Sequence, residues 1–427
     1  MAGTEQNGKI FYGWWVVAAS FVTLGIAVGL PYFGMTFFYD YFERPVVEGG
    51  LGWTRTAITL GLPLGTLATL WVGPLLVHRF SPRRLILAGT GLTMLVFVGF
   101  SRMTGGPTVY YALYFLYMVA NNLSGGVTHQ IILSRWFVKQ RGLAISIGYL
   151  GTSIIGAISV PLVAEPLTRA YGYRQALMFI GLLLLITWPL VQFVLRDHPG
   201  EMGLQPDGEK QPLVEANQSA APVIEGKTFR QLLGEQRIWI LLAGGVCMAG
   251  SVGAINLLLK LILKDRGATS QSALDQTFSQ TLSLILLVSA VARILVGRLS
   301  DRLPKRHMLT LTWLPLVAGI PLLASVPPAT VPVLFCLLYG IALGADYLLL
   351  VVTAADIYDG ATLPKVLSVL IPVMTVGQSW TPYGISLIRE ESGSYTIPLV
   401  VILVMALVGR GVLAMLPFPA GWVKAAR

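Results

Sequence analysis

Arg293 and Asp346 are charged residues that stand inside long apolar stretches of the sequence. Arg293 precedes Asp301 by a separation that on a helix is about 12 Å, which places it deep within its apolar stretch. A guanidinium stays charged, and its planar fork binds a carboxylate through two parallel hydrogen bonds. We therefore predict that Arg293 anchors a carboxylate, with an interhelix salt bridge that only fixes packing as the alternative.

Asp346 is the acid that the sequence places in the middle of an apolar stretch, next to Tyr347. A carboxyl group that pairs with Arg293 could take up a proton when an anion arrives, which would free the guanidinium. A permanent structural ion pair is an equally open interpretation. The sequence thus offers Asp346 as a proton-coupling residue and Tyr347 as its neighbour in a binding cavity.

A row of polar side chains occupies the stretch that begins at Tyr117. Tyr117, Asn121, Ser124 and Thr128 are spaced by four, three and four residues. On a continuous helix this spacing puts them on one face, which must meet a cavity or another helix. We expect Asn121 and Thr128 to face a cavity, or alternatively to bond a neighbouring helix. His129 is a candidate proton relay, although a buried histidine is more often a packing residue.

Tyr32 and Asn256 are further cavity candidates in other apolar stretches. The alternative for Tyr32 is a place in the aromatic belt at a membrane surface. Cys247 and Cys336 stand far apart inside apolar stretches and predict neither a disulfide nor a metal site. The sequence contains no GxxxxGK[ST] loop for nucleotide phosphates. We predict no catalytic residues, no metal and no cofactor.

The elements that must position these residues are membrane-spanning helices. The chain of 427 residues is 55% hydrophobic and 12% charged, and its mean hydropathy is +0.71. Soluble domains carry roughly a quarter charged residues, so the composition favours a bilayer over nucleic acid despite a net charge of +10. Each span needs roughly 20 apolar residues. Twelve spans are predicted, at residues 11–38, 54–77, 84–102, 108–134, 142–168, 173–195, 238–263, 277–299, 308–326, 330–355, 364–388 and 394–416.

Basic residues gather in the loops on one side of these spans, which predicts that both termini are cytoplasmic. The long polar segment 196–236 is predicted to be a flexible cytoplasmic linker. It separates an N-terminal half, 1–195, from a C-terminal half, 237–427. Segments 73–84 and 297–306 each contain a glycine, a tight turn and a basic cluster at matching places. This repetition indicates two pseudo-symmetric bundles of six helices.

The sequence Gly297-x-Leu-Ser-Asp301-Arg302 resembles the loop signature of the major facilitator superfamily. The first-half copy, which contains Arg79 and Arg83, departs from the signature at its acidic position. The resemblance implies the all-α major facilitator fold of twelve transmembrane helices. It also implies that these five residues belong to a gate that locks helices together on the cytoplasmic side.

A finer resemblance is to the monocarboxylate porters and their bacterial relatives, including the oxalate/formate exchangers. It rests on Tyr12-Gly13-Trp14-Trp15, Trp136 to Ala144, Arg196 to Gly208, and Ala292-Arg293-Ile-Leu-Val-Gly297. In that family the matching arginine anchors the substrate carboxylate. Animal-type members carry Asp where Ser289 stands, and oxalate-type exchangers carry a Lys that residues 371–380 lack. One buried arginine favours a monoanion.

These patterns predict a secondary active transporter and not an enzyme. The expected activity is proton-coupled symport of a small monocarboxylate, lactate- or pyruvate-like, by alternating access. The alternative is an exchanger or uptake carrier for larger, aromatic or dicarboxylic organic anions. The expected partners are the anion, a proton and the lipid bilayer, with a monomeric transport unit and no nucleic acid. The expected location is a bacterial-type inner membrane.

Overall fold

The protein is an assembly of long α-helices. The computed structural model describes residues 11–76, 80–208, 227–267, 270–300, 303, 305–325, 333–358 and 362–416, without the side chains of 68–76, 300, 305–306, 325, 347–348 and 364. The helices are α1 Gly13–Glu43, α2 Arg55–Leu76, α3 Pro82–Ser101, α4 Thr108–Ser124, α5 Gly126–Trp136, α6 Arg141–Tyr171, α7 Tyr173–Phe193, α8 Phe229–Leu233, α9 Gln236–Asp265, α10 Gln271–Ser300, α11 Lys305–Ser325, α12 Val333–Ile357, α13 Leu363–Ser392 and α14 Thr396–Ala414.

Nine helices in the described part of the chain are long and apolar enough to cross a membrane. Helices α2 and α13 contain 22 and 30 residues, which at about 1.5 Å per residue is also long enough for a crossing. Helices α4 and α5 follow one another and together have the length of one more. The observed bounds are therefore consistent with the twelve predicted spans and differ from them by a few residues.

The prediction of one uninterrupted helix over 108–134 is wrong at Gly125. The backbone of Gly125 is extended (φ −83°, ψ −164°), so α4 ends at Ser124 and α5 begins at Gly126. A Cβ on Gly126 would lie 2.3 Å from the Tyr149 hydroxyl oxygen, which shows how closely that ring packs on the backbone. Because of the break, Thr128 does not continue the face of α4.

Helices α1 and α6 each contain a π-helical turn, at Gly25–Gly29 and Val160–Ala164. The two helices pack closely because small residues line their contact. A Cβ on Gly29 would lie 2.7 Å from the Thr152 carbonyl oxygen. In lipid, the hydrophobic effect does not favour contact between helices, so helices associate through close packing of their backbones at small residues. Single π turns occur frequently at functional sites.

The two ends of the bundle differ in what they contain. We call the end with residues 196–208 and 227–235 the linker face, and the end with residues 44–54, 266–267 and 270 the distal face. The N-terminal helices α1–α7 contact the C-terminal helices α9–α14 along α2 with α13, α6 with α10, and α1 with α9.

The linker begins as an ordered segment on the linker face. The Asp207 carboxylate accepts the backbone N–H groups of Val138 and Lys139 at 2.9 and 2.8 Å. Residues 196–208 thus fold onto the N-terminal helices, where a flexible linker was predicted. Residues 209–226 lie outside the described residues.

Candidate functional site

Arg293 on α10 and Asp346 on α12 are close enough for their charges to interact. Glycine packing brings the two helices together at this depth, since a Cβ on Gly344 would lie 2.4 Å from the Ser289 carbonyl oxygen. Asp346 Oδ1 is buried and receives no hydrogen bond from any residue that the structure describes. The pair therefore interacts through its charges and leaves hydrogen-bonding capacity free.

Tyr149 is a residue of this site that the sequence analysis missed. It projects from α6, and its hydroxyl group interacts electrostatically with the guanidinium of Arg293. Tyr149 also packs on Gly126 at the break between α4 and α5. Since α6 and α10 belong to different groups of helices, Arg293 stands at their contact.

Several buried polar atoms of the predicted site residues have no hydrogen-bond partner among the described residues. They are Tyr117 Oη, Asn121 Oδ1, Asn256 Oδ1 and Asp346 Oδ1. Leaving a buried polar group unpaired costs about 1–3 kcal/mol. Because these atoms come from α4, α9 and α12, the unpaired groups belong to both the N-terminal and the C-terminal helices. An arrangement of this kind suits a ligand or ordered water that would supply the missing partners.

Tyr32 on α1 connects the two groups of helices at the same depth. Its hydroxyl oxygen lies 3.2 Å from Gln378 Nε2 of α13, which donates a hydrogen bond to it. Its other electrostatic neighbours are Asn256 and Asp346. Tyr32 thus neighbours two other predicted site residues, the cavity candidate Asn256 and the proton-coupling candidate Asp346.

Thr128 and His129 lie on α5, beyond the helix break at Gly125. The Thr128 hydroxyl is buried and donates to the Leu123 carbonyl oxygen at 2.8 Å, across the helix break. His129 is fully buried, and neither of its ring nitrogens has a hydrogen-bond partner among the described residues. Tyr347 follows Asp346 on α12, and its side chain lies outside the described part.

The predicted gate on the linker face is described only in part. Arg79, Asp301 and Arg302 lie outside the described residues, and Gly297 is a half-buried residue of α10. Arg83 lies within the described part of the chain.

Arg83 binds the end of α7. Its Nε donates to the Val191 carbonyl oxygen at 3.1 Å, and a terminal nitrogen donates to the Gln192 carbonyl oxygen. Its backbone N–H is accepted by Asp197 at 2.9 Å. A cation on the last carbonyl groups of a helix is favourable. Arg83 therefore holds two N-terminal helices together on the linker face.

A ladder of charges joins α1 to α9 near the distal face. Lys260 Nζ lies 2.6 Å from Asp40 Oδ1, and Lys264 Nζ lies 2.8 Å from Glu43 Oε2. The side chains of Lys260 and Asp40 are 1% and 0% exposed. We call these two ion pairs the distal ladder. It is a cross-link between the N-terminal and C-terminal helices at a depth where solvent does not reach.

Three oxygen atoms surround the ammonium group of Lys260, two carboxylate oxygens at ion-pair distance and one carbonyl oxygen that accepts a hydrogen bond. They are Asp40 Oδ1, Asp275 Oδ1 at 2.7 Å, and the Phe37 carbonyl oxygen at 2.6 Å. Its ammonium group also lies 3.6 Å from the centre of the Phe37 ring. The Tyr41 hydroxyl donates to Asp275 at 2.5 Å, which bonds α1 directly to α10.

A second group of ion pairs surrounds the ladder at the distal face. Arg55 of α2 binds Glu43 at 2.6 Å and Asp265 of α9 at 2.5 Å. Asp265 also binds Arg389 of α13. The Glu390 carboxylate accepts the backbone N–H of Thr56 at 2.8 Å. Together with the ladder, these bonds hold the two groups of helices closed at this face.

The sequence analysis did not predict this cluster. Lys260 carries the signal that would have found it, since three apolar residues stand on each side of it. A cation inside an apolar run requires a buried partner. The spacing of Asp40 and Glu43 on one helix and of Lys260 and Lys264 on another is also typical of a paired face.

Comparisons with known proteins agree with this architecture. The model of the Major Facilitator Superfamily matches residues 79–382. The chain is 25% identical over 315 residues to the MFS-type transporter pytF of Aspergillus terreus, a match that covers 71% of this chain and 93% of that protein.

Two solved structures share the fold at 14% sequence identity. One is a bacterial homologue of the human lysosomal transporter Spinster in an inward-facing, unoccupied conformation, with a TM-score of 0.68 over 95% of this chain and 97% of that one. The other is the nucleoside transporter NupG, with a TM-score of 0.71 over 95% of this chain and 100% of that one.

Proposed function

Because the chain belongs to the Major Facilitator Superfamily, we propose that this multi-pass membrane transporter carries a small monocarboxylate together with a proton. The observation that carries the proposal is Arg293 beside an Asp346 carboxylate whose Oδ1 has no hydrogen-bond partner among the described residues. A guanidinium offers a carboxylate two parallel hydrogen bonds. The Tyr149 hydroxyl group is placed to add another.

Asp346 is the proposed proton site. A proton on Asp346 removes the charge that competes with substrate for Arg293, so that anion and proton enter together. Moving an uncompensated charge against 100 mV costs about 2.3 kcal/mol, and co-transport removes that cost. Release on the other side returns the proton and restores the attraction between the two side chains.

The proposed transport cycle alternates access between the two faces. Segments 1–195 and 237–427 would rock about the centre, and the linker face would be the cytoplasmic one, with both termini on that side. The basic loops of that face support this orientation. The ion pairs of the distal face support a state closed to the outside. We place this monomeric unit in a bacterial-type inner membrane.

The alternative is an exchanger or carrier for larger, aromatic or dicarboxylic anions. It is supported by the aromatic character of the central residues Tyr32, Tyr117 and Tyr149. The two hypotheses differ in their response to a proton gradient and to the size of the anion, so one panel of substrates separates them.

The test is uptake of labelled carboxylates into proteoliposomes, with and without an inward proton gradient. Wild type is compared with Arg293→Ala and with Arg102→Ala, an exposed arginine near the distal face that serves as the matched control. We expect the gradient to accelerate uptake of a small monocarboxylate in wild type and control. Loss of charged hydrogen bonds should slow uptake at least about tenfold in Arg293→Ala. Unchanged transport in Arg293→Ala would contradict the proposal.

A further inference from the structure

We propose that Lys260 is a second carboxylate site, which receives the substrate from the distal face and passes it inwards to Arg293. The inference rests on the proposed function, since it concerns the same anionic substrate. In the described conformation, the ammonium group of Lys260 is fully engaged by Asp40, Asp275 and the Phe37 carbonyl oxygen. It is a buried cation without free capacity for a ligand.

The origin of these three partners decides what happens when the distal face opens. Asp40 and the Phe37 carbonyl belong to α1 of the N-terminal helices. Asp275 belongs to α10 and therefore stays with Lys260 among the C-terminal helices. Separation of the two groups of helices thus removes two of the three acceptors. An ammonium group that has lost two of its three oxygen neighbours can bind the carboxylate of a substrate as a point charge.

Asp40 keeps a charged partner when the two groups of helices separate. Arg44 lies 3.4 Å from Asp40 on the same helix, so the two can remain a pair after α1 moves away. Asp275 likewise keeps the amide of Gln271, which donates to it at 2.9 Å. Breaking a buried ion pair is costly when one charge is left alone. Here each charge retains a partner of its own, and the vacancy is confined to Lys260.

A polar path connects Lys260 with both the exterior and the central site. Asn256, Lys260 and Lys264 follow one another at intervals of four residues on α9, which places them on one face about 6 Å apart. Above them, a cavity of about 470 Å³ opens at the distal face. It is lined by Lys264 and Gln271 from the C-terminal helices and by Glu43, Arg44, Pro45 and Glu48 from the N-terminal part of the chain. Below them, Asn256 carries an unpaired oxygen beside Tyr32 and Asp346.

Closure of the distal face then returns Asp40 to Lys260 and displaces the substrate. Both ligands are carboxylates, so they compete for the same donors. An anion that has moved on to Arg293 can no longer return to Lys260, because Asp40 occupies it. The ladder therefore serves as a binding site in one state and as a lock in the other.

A lock without a binding role is the competing explanation, and two variants separate them. Asp40→Asn removes the ion pair but keeps the cation. The double variant Asp40→Asn/Lys260→Gln lacks the same ion pair and also lacks the cation. In Asp40→Asn, Lys260 keeps Asp275 as a charged partner, and in the double variant the ammonium group is absent. Neither variant therefore leaves a buried ammonium group without a partner. The comparison thus separates the ammonium group from the loss of the Asp40–Lys260 ion pair, although the bond from Lys260 to the Phe37 carbonyl oxygen is lost only in the double variant.

The measurement is KM for monocarboxylate uptake at each face, in intact cells for one face and in inside-out membrane vesicles for the other. We expect the double variant to raise KM at the distal face about tenfold or more over Asp40→Asn, with KM at the linker face unchanged. Equal KM values for the two variants at the distal face would overturn the inference and leave a lock only. Lys260→Arg, which keeps a cation, should retain the wild-type KM at the distal face.

Failure of the proposed function gives a different result. If the wild type transports no carboxylate, or if Arg293→Ala transports at the wild-type rate, the central site is wrong and the present inference is overturned with it. If the wild type transports a carboxylate through Arg293 and the KM values show no asymmetry, only the role of Lys260 is overturned.

Discussion

At Arg293 the guanidinium has charged and polar neighbours but no hydrogen-bonded partner among the described residues. A cation in the middle of a bilayer costs at least about 2.5–3.5 kcal/mol, so it needs a compensating group. Asp346 can compensate it through space, and a bound carboxylate can compensate it through hydrogen bonds. Under the proposed function, the residue would be stable in two states that differ in which anion balances it, and a proton on Asp346 would select between them.

Replacing Asp346 by Asn tests this choice. The amide has nearly the same shape and carries no charge, so Arg293 remains available to the anion while the proton site is lost. We expect Asp346→Asn to exchange monocarboxylate across the membrane but to lose the acceleration by an inward proton gradient. The measurement is uptake into proteoliposomes at a series of imposed gradients, with Glu48→Gln at an exposed loop position as the control. Full gradient dependence in Asp346→Asn would exclude Asp346 as the coupling residue.

The sequence identified the individual central residues because each is a polar exception in an apolar stretch. Arg293, Asp346 and Asn256 all follow this rule. It could not identify which residues face one another, because that depends on how helices pack. The sequence analysis missed Tyr149 because a tyrosine in an apolar stretch is common. Its ring packs on Gly126, next to the helix break at Gly125, and this contact is seen only in the structure.

At the scale of elements, α10 and α12 are positioned by glycines that let the backbones touch. Gly344 stands against the Ser289 carbonyl oxygen and the Ala292 side chain. The next residues on each helix include Arg293 and Asp346, so this contact sets the distance between the two charges. Helix packing by small residues is the general solution in lipid.

Gly344→Val should separate these two helices. A Cβ at this position would lie 2.4 Å from a backbone oxygen, which cannot move aside as a flexible side chain can. We expect lower thermal stability in detergent and slower uptake. The matched control is Gly384→Ala on α13, where nothing lies within 4 Å of the new Cβ. Removal of a helical glycine should stabilise that variant by up to about 1 kcal/mol. Equal unfolding temperatures for both variants would contradict this account of the packing.

The positions of the helices were largely predictable, because a run of apolar residues fixes a span whatever it packs against. Their interruptions were not, as the extended Gly125 and the two π turns show.

The segments that carry the family resemblance also have a local role. Trp136 Nε1 donates to the Arg196 carbonyl oxygen at 2.9 Å, and Tyr12 packs against Trp136. These contacts hold the three segments together at the linker face of the N-terminal helices.

At the scale of the whole molecule, the distal face holds the two groups of helices together by charges. Asp265 is the central member of this network, since it binds Arg55 of α2 and Arg389 of α13. Buried or half-buried ion pairs depend strongly on each partner, and removal of one leaves the others unpaired. The ion pairs of Asp265 therefore stabilise the closed distal face, and a single substitution at Asp265 removes them.

Asp265→Asn should shift the molecule towards an open distal face. The change removes the charge shared by Arg55 and Arg389, and each loss of about 1.4 kcal/mol in the closed state changes the ratio of states tenfold. The measurement is the distance distribution between spin labels at Val47 and Ser394, two exposed distal positions, with the native cysteines replaced by serine.

We expect a longer distance to gain population in Asp265→Asn, while Glu391→Gln keeps the wild-type distribution because Glu391 is exposed and lies at the edge of the network. A distribution identical to wild type in Asp265→Asn would mean that apolar packing between α2 and α13, and not the ion pairs, keeps the face closed. In that case the charges would set only the register of the two groups of helices. A shift in both variants would instead indicate a general response to surface charge. The expected contrast between the two variants therefore assigns the closure to Asp265 itself.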